Sequence, residues 1–271
     1  MLFIANDAPS NAWLIRDVER SHEIQCILRP DWDTLPPPER RAHKRPPRPI
    51  GVRVMRRLRA RYFASNDRRD AARLAQLLFP ESTSVTPRAP VWTVPSWDIN
   101  SVSVQEQLAT LAPDLIIVSG APLLTPDIFR IPRLGTVNLH FGISPTYRGL
   151  HTIVTPWQRG DFAHIGATLH RVTEGIDNGP VLFRVYPALD PNDDHVTAEA
   201  KIVRLAGATL CRMLGWLASQ AADADIPGRA LAGAGALIRY HDRSIYAHLR
   251  MQTARALVSR TEQRVELFYE S

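Results

Sequence analysis

Lysine is almost missing from this 271-residue chain: all but two of its 33 basic residues, Lys44 and Lys201, are arginine. Against 27 acidic residues this leaves a formal charge of +6. Such a balance is compatible with nucleic acid, phosphorylated ligands or polyglutamylated cofactors, and equally with a GC-rich genome writing arginine for lysine. Cysteine is scarce too. Cys26 and Cys211 lie in apolar stretches; the two could pair, but the expected reading is two buried free thiols in a reducing compartment. Neither has another ligand type at zinc-site spacing, so no metal is expected. No apolar run approaches the ~20 residues that span a bilayer, and Met1 leads into Leu2-Phe3-Ile4 without a basic leader. A cytoplasmic protein with no membrane partner is the expectation. At 45% hydrophobic and 22% charged residues, the composition is that of a globular chain with one large core and room for a small appendage.

The order of elements points to an α/β fold. Leu2 to Ala5 reads as a buried strand, about Asn11 to Arg20 as a helix and His22 to Leu28 as a second strand, a spacing that implies parallel pairing by right-handed crossover. Pro30 to Pro49 is dense in proline and carries a cluster of arginines with Lys44, which no core absorbs, so it reads as a surface insertion. Ile50 to Phe63 and Asp67 to Phe79 are predicted as two helices. In the first, Val52, Met55, Leu58 and Tyr62 recur at helical spacing among five arginines. That pattern is either an amphipathic basic helix for an acidic partner or the solvated face of a covering helix. After a proline-punctuated stretch from Pro80 to Asn100, Val104 to Leu111 looks helical. Leu115 to Val118 is an uninterrupted apolar strand of the kind found at the centre of a parallel sheet. Strands at Thr136 to His140, Ile165 to Val172 and Val181 to Val185 are expected to complete that sheet. A helix from His195 to about Ala221, a strand-like Ala236 to Tyr240 and a helical Ile245 to Val258 follow.

Asn138 and His140 stand at i and i+2 on a predicted strand, so their side chains leave the same face, near the carboxyl end where α/β ligand crevices form. An amide beside an imidazole is a sensible holder for a carbonyl oxygen that gains charge under nucleophilic attack. Glycine-flanked Asp177, in the turn from Glu174 to Pro180, can reach an imidazole and favour its charged form. On residue types alone the same set also suits a turn cap, an edge histidine and an ordinary Asp-Asn-Gly turn.

Four segments change that balance: Pro113 to Val118, Leu134 to His140, Ser144-Pro145-Thr146-Tyr147-Arg148-Gly149, and Gly175-Ile176-Asp177-Asn178-Gly179-Pro180. In order and spacing the region from Pro113 to Pro180 resembles the 10-formyltetrahydrofolate-dependent formyltransferases. That family includes glycinamide ribonucleotide transformylase, methionyl-tRNA formyltransferase and amino-sugar N-formyltransferases. The resemblance implies that Asn138 and His140 polarise the formyl oxygen in the tetrahedral intermediate, and that Asp177 orients His140 and relays a proton. It implies backbone walls for the folate co-substrate at Gly120, Pro122, Leu123 and Leu124 and at Val172, Gly175 and Ile176. Ser144, Tyr147, Arg148, Gly149, His151 and His170 would lie on the acceptor side.

Departures from the family pattern narrow the acceptor. Asn6-Asp7-Ala8-Pro9-Ser10 lacks the glycine-rich phosphate loop of the glycinamide branch. The 43 residues after Gly228 are fewer than a tRNA-binding domain needs. The expected architecture is therefore a twisted, mainly parallel, Rossmann-like sheet with helices on both faces. Residues 1–227 would form the catalytic domain, with an insertion at about 30–65, and 228–271 a short extension. The expected activity is transfer of formyl from 10-formyltetrahydrofolate to a small-molecule amine, first an amino sugar, with nucleic acid not expected and a homodimer left open. A formyltetrahydrofolate hydrolase and a basic nucleic-acid-binding protein on the same fold are the alternatives.

Overall fold

The computed structural model describes residues 1–37, 50–81, 86–221, 225–233, 235–253 and 260–270. The chain opens with β1 (Leu2–Ala5), α1 (Pro9–Val18) and β2 (Cys26–Asp31), then α2 (Ile50–Leu78), β3 (Val91–Pro95) and α3 (Val102–Leu111). Next come β4 (Ile116–Ser119), the short α4 (Pro126–Phe129), β5 (Thr136–His140), β6 (Tyr147–Gly149), α5 (Val154–Arg159), β7 (Ala167–Arg171) and β8 (Val181–Tyr186). α6 (His195–Ala218), β9 (Ala236–Ile238), α7 (Ile245–Thr253) and β10 (Arg264–Leu267) close the chain. One 8-stranded sheet runs β10-β8-β7-β5-β4-β1-β2-β3. The pairings from β3 across to β5 are parallel, and those of β7, β8 and β10 are antiparallel.

The strands alternate between two apolar layers, as period-2 side chains must. Phe3, Ile27, Ile117, Val137, Leu139 and Phe183 pack against α1 and α6 on one face. Leu2, Ile4, Leu28, Ile116 and Val118 pack against α3 and α4 on the other. Because β1 is flanked by β2 and β4, chain order reverses there, and such switch points open a crevice beyond the strand ends. Buried Asn11 bridges the two ends, donating to Ser119 O at 3.0 Å and Asn6 Oδ1 at 2.6 Å.

Several elements differ from the sequence reading. The predicted helices at 50–63 and 67–79 are one helix, because Ala64-Ser65-Asn66 carries no breaker and Asn66 Nδ2 bonds back to Tyr62 O at 2.8 Å. Its predicted apolar face does not pack: Met55 is 66% and Leu58 57% exposed, and burial begins at Phe63. Pro30 belongs to β2 rather than to a loop; β1 pairs only up to Leu28, so at Pro30 just one neighbour, β3, remains. The insertion proper, residues 38–49, lies outside the described residues, as does the predicted helix end at 254–258. β3 sits inside the proline-punctuated stretch, and β10 pairs antiparallel with β8 in a tail that gave no strand signal. β9 pairs with β6 in a separate 2-stranded sheet.

β10 is seated by Tyr269, which is fully buried with its ring centroid 5.2 Å from that of Trp216 on α6. Tyr269→Ala should therefore destabilise the protein by about 3–5 kcal/mol, the usual cost of emptying a buried aromatic site. Urea unfolding checks it; a loss near zero would mean that the tail adds nothing to the core.

Candidate active site

β5 lies between β4, which sets Val118 beside Asn138, and β7, which sets His170 beside Asn138. Asn138 and His140 thus share the face opposite Val137 and Leu139, as their i, i+2 spacing predicts. Asp177 meets them from the loop after β7. Its backbone takes φ 46°, unusual for a residue with a side chain, and the turn is braced by Arg148, whose guanidinium donates to Ile176 O at 3.3 Å and to Gly235 O at 3.2 Å. Asp177 Oδ1 accepts from Asn138 Nδ2 at 3.0 Å, and Oδ2 accepts from the Gly149 N–H at 2.8 Å. His140 Nδ1 is 3.4 Å from Oδ2. Two glycines make this convergence possible. A Cβ on Gly142 would stand 2.5 Å from His140 Nε2, and one on Gly149, at φ 91°, would stand 2.3 Å from Ile238 O.

Burial pushes the His140 ring below its ordinary pKa, and the Asp177 carboxylate only partly pulls it back. For Asp177 burial works upward, but the hydrogen bond to His170, the His140 ring and the Gly149 N–H together hold it down at about 2. A neutral imidazole therefore sits beside an ionised carboxylate at neutral pH. His140 Nε2 is 3.0 Å from Tyr147 O, a pure acceptor, so the single ring proton belongs there and the Nδ1 lone pair faces Asp177. The pair lacks one proton, and gaining it would turn the 3.4 Å approach into an ion pair. His170 is settled differently. Its Nδ1 is 2.8 Å from Arg171 O, and its Nε2 lies 3.2 Å from Asn138 Nδ2 and 3.4 Å from Asp177 Oδ1. The Asn138 amide is thus enclosed by Asp177 and His170, so a ligand oxygen has to compete with these partners for it.

A cavity of about 650 Å³ opens on the cluster. Gly120, Pro122, Leu123, Leu124, Val172, Gly175 and Ile176, the residues expected to wall the folate, all line it, as do Gly149, His151 and His170. Ser144, Tyr147 and Arg148 do not line the cavity, and their expected acceptor-side place is corrected. Ser144 is fully buried with its carbonyl held by Arg184, Tyr147 turns its hydroxyl to Asp161 Oδ2 at 2.8 Å, and Arg148 braces the Asp177 loop. His151 Nε2 is buried without a partner, and burial, then the Arg243 charge, takes its pKa to about 4.

Sequence reasoning missed the opposite wall: Asp67 and Asp70 from α2 and His195 and Glu199 from α6. Burial, with the Asp70 charge, raises Glu199 from 4.5 to about 7 despite the pull of His195. The only signal was geometric. Asp67 and Asp70 are i, i+3 neighbours, and so on one side of a helix, while His195 and Glu199 are i, i+4. Among the described residues no group of three or more His, Cys, Asp or Glu is placed to hold a metal ion, and no helix is long and apolar enough to cross a membrane.

An open α/β sheet with a polar triad at the carboxyl end of a central strand, beside a cavity at the switch point, defines a site for small organic ligands. Residues 71–214 match the family described as formyl transferase, and the chain belongs to that family. Similar proteins include methionyl-tRNA formyltransferases from Nitrosomonas eutropha, 33% identical over 117 residues (43% of this chain, 37% of that protein), and from Pseudomonas putida strain F1, 30% identical over 135 residues (49% and 43%). The chain spans less than half the length of these curated relatives. Among solved structures, a sugar N-formyltransferase from Shewanella sp FDAARGOS_354 superposes with a TM-score of 0.53 at 12% identity, covering 94% of this chain and 87% of that one. A phosphoribosylglycinamide formyltransferase from Anaplasma phagocytophilum gives 0.52 at 14% identity, covering 87% and 95%. Identities this low establish a common fold and nothing finer.

Two titrations follow from these surroundings. His140 should titrate below 6.5 by NMR, and Asp177→Asn, which removes the carboxylate holding it up, should move it lower still; a rise would contradict the assigned balance. Glu199 has a folded pKa above its unfolded one, so its penalty on stability is absent below pH 4.5, grows as pH rises, and is complete above about 7. Glu199→Gln should stabilise the protein on the order of 2–3 kcal/mol at pH 8 and hardly at all at pH 4. Equal unfolding curves at both pH values would mean an ordinary solvated carboxylate.

Proposed function

We propose that this chain transfers a formyl group from 10-formyltetrahydrofolate to a primary amine, and that the acceptor is an amino sugar or a similar biosynthetic amine. The observation that carries the reading is the Asn138–His140–Asp177 cluster, one proton short and open to the cavity. The fit to the donor rests on the cavity walls. Leu123, 64% exposed at the rim, with Leu124, Val172 and Ile176 offers apolar faces to a flat ring, while the turns at Gly120 and Gly175 bring backbone close to its edge.

The folate supplies the formyl carbon. The Asn138 amide holds the formyl oxygen, whose charge grows as the amine nitrogen attacks, and His140 adds positive charge beside it once Nδ1 has taken a proton; such interactions strengthen as the charge develops. The nitrogen must shed a proton and the departing folate nitrogen must gain one. His140 Nδ1 and Asp177 form a couple able to take that proton and return it, with the resulting imidazolium stabilised by the carboxylate at 3.4 Å. Low dielectric around the buried ring magnifies that stabilisation.

The amino-sugar choice rests on the crevice entrance, where Pro9 occupies the first turn of α1 and removes an N–H that a phosphate would use.

His140→Ala and Asp177→Asn should each lower turnover by about 100-fold or more, because the interactions they remove strengthen in the transition state. Folding and folate affinity should change little. Release of tetrahydrofolate with a panel of amines measures it, and near-normal transfer by both variants would end the assignment. Equal release without any amine would instead make the chain a hydrolase.

A further inference from the structure

The cavity is lined from inside and outside the stretch shared with the family. The folate walls and the triad lie within residues 71–214, the stretch shared with the family. Asp67 and Asp70, and the lining segment from Leu237 to Tyr240, lie outside it, and they meet His195 and Glu199, which lie inside it. Where one donor serves many acceptors, the part of the cavity away from the donor is the place to look for acceptor recognition.

That far wall is built rather than incidental. Asp194 caps α6, accepting the Thr197 N–H at 2.9 Å, and so fixes His195 and Glu199 at the start of the helix. His195 Nε2 meets Asp70 Oδ2 at 3.0 Å, tying α6 to α2. One turn earlier on α2, Asp67 is gripped by both terminal nitrogens of Arg243 at 2.8 and 2.7 Å. The Arg243 guanidinium lies 4.0 Å from the centre of the buried Phe63 ring, which fastens the C-terminal segment to α2. Asp67 is thus held by a guanidinium and Asp70 by an imidazole. Glu199 is not: it makes no hydrogen bond or ion pair with any described residue, feels His195 only at a distance, and lines the cavity. In the same cavity His151, which feels the Arg243 and Asp67 charges, likewise has its Nε2 buried with no partner. An unpaired acid and an unpaired imidazole facing one space are groups that a ligand can satisfy, and left unsatisfied they cost stability.

Resting on the formyl-transfer reading above, we propose that the α2–α6 wall is the acceptor subsite, with Glu199 receiving N–H or O–H groups of a cationic, hydroxyl-bearing amine and the Asp70–His195 pair fixing Glu199 from behind. The charge pattern selects the class. Asp177 is ionised, and Asp70 and Glu199 add carboxyls at the other end, so an ammonium-bearing acceptor is drawn in while a terminal phosphate or carboxylate at this wall meets like charge. Binding an ammonium favours the ionised form of Glu199, so acceptor binding should release protons near pH 7. Glu199 acts in positioning, and its loss should appear in acceptor affinity rather than in the chemistry at His140.

The test uses the full chain with 10-formyltetrahydrofolate and a panel of probes: glucosamine, glucosamine 6-phosphate, amino-sugar nucleotides, an amino-acid amide and hydroxylamine. For whichever amine the wild type formylates, Glu199→Gln should raise the acceptor KM at least 10-fold, leave kcat within about threefold and leave the folate KM unchanged. Asp70→Asn should shift the acceptor KM in the same direction by a smaller factor. Because Glu199→Gln is expected to stabilise the fold, lost binding cannot be blamed on unfolding. If transfer proceeds with acceptor KM within twofold in both variants, or if kcat falls while KM stands, the subsite proposal is overturned and formyl transfer survives. If the wild type formylates no member of the panel, the formyl-transfer reading fails and this one with it.

Discussion

The Asp177 carboxylate is the tie on which the site depends. It joins three segments that the sheet alone would not bring together: β5 through Asn138 Nδ2, the end of β6 through the Gly149 N–H, and the loop after β7 through its own backbone. Removing a charged, partly buried acceptor from such a network strands several donors at once. The same carboxylate keeps His140 from falling further below its ordinary pKa, so structure and protonation are set by one group. Its φ of 46° is the local cost of that reach, and Arg148 and Gly149 are the residues that hold the backbone there.

Much of this was legible in the sequence for identifiable reasons. β5 was read with its observed bounds because Thr136 to His140 alternates cleanly, and alternation alone put Asn138 and His140 on one face. The residues expected from the resemblance to wall a folate do line one cavity, because their backbone turns carry glycine and proline that few other arrangements require. β3 was hidden because Pro90 and Pro95 read as punctuation, whereas at a sheet edge neither blocks pairing. β10 was hidden because Arg264-Val265-Glu266-Leu267 is an edge strand with two charged side chains among four residues. The roles of Ser144, Tyr147 and Arg148 were misplaced because a motif fixes where the chain turns and says nothing of which way each side chain points.

The far wall was illegible for a deeper reason. Asp70 and His195 are 125 residues apart, and each sits in a helix whose periodicity reports only burial. Nothing local marks either as a cavity residue. What reveals them is tertiary: an acid raised to about 7 and an imidazole taken to about 4 line one space, which also holds the triad. A fold keeps such costly groups where activity rather than stability sets the requirement.

The coupling between His140 and Asp177 can be measured directly by a double-mutant cycle on formyl transfer, comparing His140→Ala, Asp177→Asn and the double variant with the wild type. If the two act as one proton-accepting couple, the double variant loses little more rate than the worse single variant. If the two losses multiply, the groups act independently, and the shared role assigned to them is wrong.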